Sequence, residues 1–376
     1  MQETQRLMYQ EQLTMFISEI TGYVELHASK ILPTTFPIME PEIIKELTQT
    51  ATNIFKDEPS LLETNSDIVV VGDLHGQIFD LIRVLDTFGM PDKQKYLFLG
   101  DIVDRGEFSI ETIVIVLLLK VIWPDQVLII RGNHEFRSLC ANLGFGAQIS
   151  SVYNDPSIFE CFIQCFTYIP FAALLNGDIL CVHGGIGPHC YSVDQFRSIQ
   201  RPIEEVTDDF LESIVWSDPS ANVRFFEKSA VRGSGYLFGA EAAQEFLGPA
   251  KLKMLIRAHE CVADGIYKNF DNKVITVFTA SNYCGCVENR SAVLIIKGGQ
   301  LDYMTFKPLQ WLKREEVIFK GHNNQNRRVV RKKLMSISSQ KILPSIFEPQ
   351  SKIESPSPRA LRNKKRRLSS DVIGSY

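Results

Sequence analysis

Six short apolar runs, each broken off by a polar, glycine-bearing motif, constrain this chain more than any other feature. Ile68-Val69-Val70-Val71 ends in Gly72-Asp73-Leu74-His75-Gly76, and Tyr96-Leu97-Phe98-Leu99 ends in Gly100-Asp101-Ile102-Val103-Asp104-Arg105-Gly106. Val127 to Ile130 ends in Arg131-Gly132-Asn133-His134-Glu135, and Ile179 to Val182 ends in His183-Gly184-Gly185. Leu255-Ile256 leads through Arg257-Ala258 to His259-Glu260, and Ile275 to Phe278 ends in Thr279-Ala280-Ser281-Asn282-Tyr283-Cys284. Runs this short and uniformly apolar suit strands buried on both faces. Helical patterns at Phe108 to Ile122 and Ile158 to Phe166 fall between several of them, so an α/β architecture follows. Ligand sites in such folds gather beyond the carboxyl ends of the strands, and the six motifs are expected to converge on one cleft.

The flanks read differently. Leu13, Phe16, Ile17 and Ile20, then Ile43, Ile44, Leu47, Ile54 and Phe55, recur at helical spacing, with Pro41 well placed as a first helical residue. Two amphipathic helices packed on the body are expected. Beyond about Phe306 the regular pattern fades, with one more helix expected over Leu309 to Phe319. From His322 onward Asn, Ser, Pro, Lys and Arg dominate with few aromatics, the composition of a disordered segment.

Charge is distributed unevenly. Residues 321–376 carry thirteen Lys and Arg against three Asp and Glu, a net of +10, while the preceding residues carry 27 against 41, a net of −14. An acidic body argues against a nucleic-acid enzyme, and a basic tail suits docking on an acidic surface of this chain or of a partner. The apolar run Ile113 to Leu119 is far short of the ~20 residues that span a bilayer. The N-terminus lacks a basic segment followed by an apolar stretch, so neither a membrane span nor a secretory leader is expected. Eight cysteines without a scaffold spacing read as reduced thiols of a cytoplasmic or nuclear protein.

Four of the seven histidines, His75, His134, His183 and His259, lie in the strand-end motifs beside Asp73, Asp101 and Asn133. One histidine after a strand is an ordinary loop residue, but four with matched Asp and Asn neighbours point to a metal centre. Mixed imidazole, carboxylate and amide donors suit manganese, iron or zinc, and argue against calcium or a thiolate site. The donors suffice for two ions if one carboxylate bridges them, and Asp101 is the natural bridge. Two ions ~3.5–4 Å apart generate a hydroxide nucleophile and clamp a phosphoryl group for in-line displacement.

Gly-Asp-Leu-His-Gly-Gln at 72–77, Gly-Asp-Ile-Val-Asp-Arg-Gly at 100–106 and Arg-Gly-Asn-His-Glu at 131–135 resemble the signatures of the PPP family of metal-dependent serine/threonine phosphoprotein phosphatases. His183-Gly184-Gly185, Trp216-Ser217-Asp218-Pro219, Val231-Arg232-Gly233, Arg257-Ala258-His259-Glu260 and Asn282-Tyr283-Cys284 continue the match in order, over roughly residues 40–310. The resemblance implies a calcineurin-like metallophosphoesterase fold, a central β-sandwich flanked by helices in four layers. It implies two divalent ions (manganese, or iron and zinc), the first held by Asp73, His75 and Asp101, the second by Asp101, Asn133, His183 and His259. It makes His134 the general acid, charged and oriented by Asp104, with Arg105 and Arg232 gripping the phosphate and Tyr283 overhanging the site. Arg131, Glu135 and Arg257 adjoin these residues and are expected to orient them.

The implied activity is hydrolysis of phosphoserine and phosphothreonine in proteins, with regulatory or targeting subunits as partners. Two alternatives are a related enzyme acting on dinucleoside polyphosphates or phosphodiesters, and a catalytically silent binding module. The Trp216 to Gly239 region and the Asn282-Tyr283-Cys284 loop favour the protein phosphatases, and every ligand position is filled. The chain departs from the family where Ser281 stands in place of a usual proline, which predicts a looser Tyr283 loop. Mixed type 1 and type 2A features mark it as a divergent member. In the tail, Asn363-Lys364-Lys365-Arg366-Arg367 resembles a nuclear import signal and Arg366-Arg367-Leu368-Ser369 a basophilic kinase site.

Overall fold

The computed structural model describes residues 3–28 and 35–321. The basic tail with its import and kinase motifs lies outside the described residues.

All six apolar runs are strands, and they divide between two sheets. The first sheet runs Gln300–Phe306, Ser291–Lys297, Ile68–Val71, Tyr96–Phe98, Val127–Ile129, with the last three parallel. The second runs Ile266–Asn269, Val274–Val277, Met254–Arg257, Ile179–Val182, Ala172–Leu175, Leu61–Thr64, with Ile179–Val182, Met254–Arg257 and Val274–Val277 parallel. Successive side chains of a strand face opposite ways, and the buried clusters sort accordingly. Val70, Leu97 and Leu128 of the first sheet meet Ala173, Cys181, Ile256 and Ile275 of the second in one cluster between the sheets. The alternate residues Val69, Val71, Tyr96, Phe98 and Ile129 pack outward against the helices Pro41–Asp57, Ile78–Phe88 and Ser109–Ile122. Leu174, Leu180, Val182 and Leu255 face Asp209–Trp216 and Ala240–Leu247 on the other side. The layers are helix, sheet, sheet, helix, as expected.

The helices follow their sequence patterns. Pro41–Asp57 buries Ile43, Ile44, Leu47, Ala51 and Phe55 along one stripe, with Pro41 in its first turn. Glu3–Ala28 buries Tyr9, Leu13, Phe16, Ile17 and Ile20 in the same cluster as the first sheet's outer face. Ser109–Ile122 is apolar nearly all round and buried along its whole length, because both of those helices pack against it. The helix expected over Leu309 to Phe319 does not form. A single 3₁₀ turn, Arg314–Glu316, leads into a strand, Ile318–Gly321, parallel to Thr35–Ile38. Tertiary contacts override the local pattern there. The Trp311 ring lies against Gly285, and the Arg314 guanidinium reaches both Glu111 carboxylate oxygens, at 2.8 and 2.9 Å.

Lys120, fully buried on the Ser109–Ile122 helix, donates to the Glu58 carboxylate and to the Pro124 and Val127 carbonyls at 3.0 and 2.8 Å. Burial pushes the ammonium down and the Glu58 carboxyl up, so each keeps its charge through the other. Glu58→Ala strands the buried ammonium and is expected to cost about 3–5 kcal/mol, read as a lower urea midpoint. An unchanged midpoint means that the two carbonyls satisfy Lys120 alone.

Candidate metal centre and active site

The strand-end loops press on one another. A Cβ on Gly72 would collide with the Val277 carbonyl, and one on Gly106 with the His75 carbonyl, so both positions need glycine for close approach. The side chains that flank them sit on left-handed backbone: φ is 44° at His75, 50° at Asp101, 69° at Asp104, 66° at Arg105 and 68° at His259. Non-glycine residues hold this conformation only where their surroundings over-determine it. Here the Glu135 carboxylate accepts the N–H groups of Asp101, Ile102 and Gly132 at 2.9, 2.8 and 3.0 Å. The Asp101 carbonyl in turn accepts from Leu74 and His75 at 3.0 and 2.9 Å.

Two donor groups that share Asp101 result: His75, Asp101 and His134, with Asp73 alongside, and Asp101, His183 and His259, with Asn133 alongside. In the first, His75 Nε2 lies 3.7 Å from Asp73 Oδ2 and 3.5 Å from Asp101 Oδ2. In the second, His183 Nε2 lies 3.3 Å from Asp101 Oδ2, 2.9 Å from the Asn133 amide oxygen and 3.2 Å from His259 Nδ1. The Nδ1 atoms of His75 and His183 meet the carbonyls of Val103 and Leu99 at 2.9 and 2.8 Å. Those bonds place a proton on each Nδ1 and aim the Nε2 lone pairs inward.

The residues fit divalent cations. Asp73 Oδ2, facing His75 Nε2, is buried and lacks a hydrogen-bond partner. The inward atom of the Asn133 amide sits 2.9–3.2 Å from His183 Nε2, His259 Nδ1 and both Asp101 oxygens. As oxygen it joins a ring of lone pairs that calls for a cation; as nitrogen it would bond across and close the ring. Charge is strained in the same way. Burial, and then Asp101, push the Asp73 carboxyl up to about 7. Burial and His134 push His75 down to about 3, whereas His183 rises to about 9 because Asp101 outweighs its burial. Imidazole, carboxylate and amide oxygen are the donors of manganese, iron and zinc.

His134 is the outlying member of the first group, its Nε2 4.0 Å from Asp101 Oδ2 and its ring centroid 4.7 Å from that of His75. Its Nδ1 lies 2.8 Å from Asp104 Oδ2, while Asp104 Oδ1 accepts the Phe145 N–H at 2.9 Å. Burial works against the imidazolium, but Asp101 and Asp104 outweigh it and hold the His134 pKa above its usual value. Arg105 is exposed at the rim, and its charge is felt by Tyr283 and Cys284. The Tyr283 ring lies 5.2 Å from that of His75. Arg232 Nη2 donates to the His259 carbonyl at 3.1 Å. The eleven residues singled out in the sequence are therefore brought to one place.

The neighbours act through the protein rather than on the centre. Arg131 donates to the carbonyls of Glu135 and Ile203, with its guanidinium 3.7 Å from the Phe136 ring centroid. Arg257 donates to the Gly184 and Ser217 carbonyls and to Asp218 at 2.6 Å. Asp218, for which the motif alone gave no role, also holds Arg232 Nε at 2.5 Å. Its signal was its place between Trp216 and Pro219, which does not show that its partners come 14 and 39 residues later. The expectation of a looser Tyr283 loop is not met: Ser281 is buried and bonded on every side.

Residues 66–263 match the calcineurin-like phosphoesterase family. The chain is 38% identical over 266 residues to the serine/threonine-protein phosphatase PP2A-like PPG1 of Candida albicans, covering 70% of this chain and 64% of that protein. It is 37% identical over 257 residues to a protein phosphatase 2A catalytic subunit of Dictyostelium discoideum, covering 68% and 82%. Among solved structures, a protein serine/threonine phosphatase from Saccharomyces cerevisiae with similarity to human phosphatase PP5 superposes with a TM-score of 0.68 at 29% identity, covering 73% of this chain and 92% of that one.

Proposed function

Because this chain belongs to the calcineurin-like phosphoesterase family, in the branch of the serine/threonine phosphatases, we propose that it hydrolyses phosphoserine and phosphothreonine in proteins. The observation that carries this reading is the pair of buried donor groups joined at Asp101, His134 among them, with Arg232 against the His259 carbonyl beside them. Asp73, His75 and Asp101 would hold one divalent ion, and Asp101, Asn133, His183 and His259 the other, as manganese or as iron and zinc. Bound there, such ions would supply positive charge to the phosphoryl oxygens and acidify a water molecule.

The chain's own side chains do the rest. Arg105 and Arg232 offer guanidinium forks to the phosphoryl oxygens, a geometry that lysine lacks. Asp218 holds Arg232 by its Nε edge, which fixes the plane of the fork. His134 donates its Nδ1–H to Asp104 and keeps a second proton on Nε2. That proton passes to the seryl or threonyl oxygen as the P–O bond breaks, because an alkoxide leaves poorly near neutral pH. Phosphoproteins are the substrates on this reading, and regulatory or targeting subunits would choose among them. Eight unpaired cysteines suit a cytoplasmic or nuclear site of action.

The purified chain with manganese is expected to release phosphate from phosphoserine and phosphothreonine peptides. Metal uptake without release overturns the proposal. The acid has its own test. His134 works protonated, so kcat falls as pH rises through its raised pKa. Asp104→Asn removes a charge that favours the imidazolium, and the alkaline limb of kcat is expected to move down by about 1–3 pH units. A limb that stays in place assigns the proton to another group.

A further inference from the structure

The loop that carries Tyr283 over the site is anchored at one buried residue. Ser281 donates its backbone N–H and its hydroxyl to the same oxygen, Asp80 Oδ2, at 2.9 and 3.0 Å. Its Oγ accepts the Leu309 N–H at 3.1 Å, and its carbonyl accepts from Gln77 Nε2 at 3.0 Å. A hydroxyl has one proton to give and two lone pairs to receive with, and both functions are in use. Asp80 is held by Arg83, which also reaches Ser291 Oγ at 2.6 Å and the Lys307 carbonyl at 2.7 Å. Three stretches distant in the chain therefore meet at Ser281: the Ile78–Phe88 helix, the Tyr283 loop and residues 307–309. Gln77 adds the loop that bears Asp73 and His75.

The loop needs such an anchor. Tyr283 stands between two left-handed residues, Asn282 at φ 47° and Cys284 at φ 55°. Relaxing either would swing the phenol ring away from His75. The far side is tied by Asn289 Oδ1 to the Tyr283 N–H at 2.9 Å, and by Asn282 Nδ2 to the Leu309 carbonyl at 3.0 Å. Leu309 thus grips the loop through both its N–H and its C=O.

We propose that Ser281 is a positioning residue for dephosphorylation, its side chain clamping the Tyr283 loop between Asp80 and Leu309 so that Tyr283 is held against the bound phosphopeptide. This rests on the phosphatase reading above. An alanine at 281 keeps the N–H to Asp80 but strands the Leu309 N–H. A proline at 309 removes that same donor from the opposite side, and leaves Ser281 and every residue of the centre unchanged.

The test is steady-state kinetics of the full chain with manganese on a phosphoserine peptide, with metal content and thermal midpoint measured on each variant. Leu309→Pro is expected to raise KM about 5- to 10-fold, the value of the one hydrogen bond it removes, and Ser281→Ala, which also removes the hydroxyl bond to Asp80, at least as much, with kcat nearly unchanged and metal content intact in both. An active wild type with unaltered KM in both variants overturns the clamp. A loss of metal or of thermal midpoint without a selective rise in KM also overturns it, by reducing Ser281 to fold support. If the wild type releases no phosphate, the phosphatase reading itself fails, and the two failures are distinct. Should Ser281→Ala not fold, Leu309→Pro decides alone.

Discussion

On the proposed two-metal reading, Asp101→Asn is expected to cost the centre at least one metal ion and to lower kcat about a thousandfold or more. That corresponds to the several kcal/mol of transition-state charge stabilisation that bound metals supply. Only Asp101 belongs to both donor groups. Its Oδ2 lies 3.5 Å from His75 Nε2 and 3.3 Å from His183 Nε2, and its Oδ1 accepts the His134 N–H at 2.9 Å. Asparagine preserves volume and one acceptor, so the loop stays where Glu135 grips its backbone. What disappears is the charge. The experiment is metal analysis of the purified variant beside its kinetics and circular dichroism. Two ions per chain with kcat within tenfold of wild type would remove Asp101 from the bridging position.

The chemistry was legible in the sequence because it is local. Each strand runs only three or four residues before its motif, so an apolar run followed by Gly-Asp-x-His or Gly-Asn-His places its donors at a strand end with little freedom. The helix over Ser109–Ile122 was legible for a related reason, since an apolar run of 14 residues is longer than the roughly 4–8 of a buried strand. What escaped was decided by partners far away. The Leu309 to Phe319 stretch has helical spacing, yet Trp311 on Gly285 and Arg314 on Glu111 draw it out into a turn and a strand. Ser281 looked like a lost proline until Asp80, 201 residues earlier, appeared beneath it. Asp218 is the same case, with its two arginines brought in by different strands and loops. Side-chain type sets what a residue can bond to. The fold alone decides which of those bonds are made.

His134→Asn is expected to lower kcat by about 10²–10⁴-fold with both metal ions retained, the range assigned to a positioned general acid. The distances make this the decisive variant, because His134 has two possible employments. With His75 and Asp101 it satisfies the spacing of a metal-binding group. Its Nε2 is nevertheless 4.0 Å from Asp101 Oδ2, farther than that of His75 at 3.5 Å, while its Nδ1 is committed to a carboxylate at 2.8 Å. Asp104 stabilises the imidazolium, the form that can donate a proton and cannot bind a cation. Asparagine cannot be protonated near neutral pH, but it keeps the backbone N–H to Asp101 that helps hold the centre. Loss of kcat with two ions still bound makes His134 the proton donor. Loss of an ion along with kcat makes it a ligand, and the proton to the leaving oxygen then has to come from elsewhere.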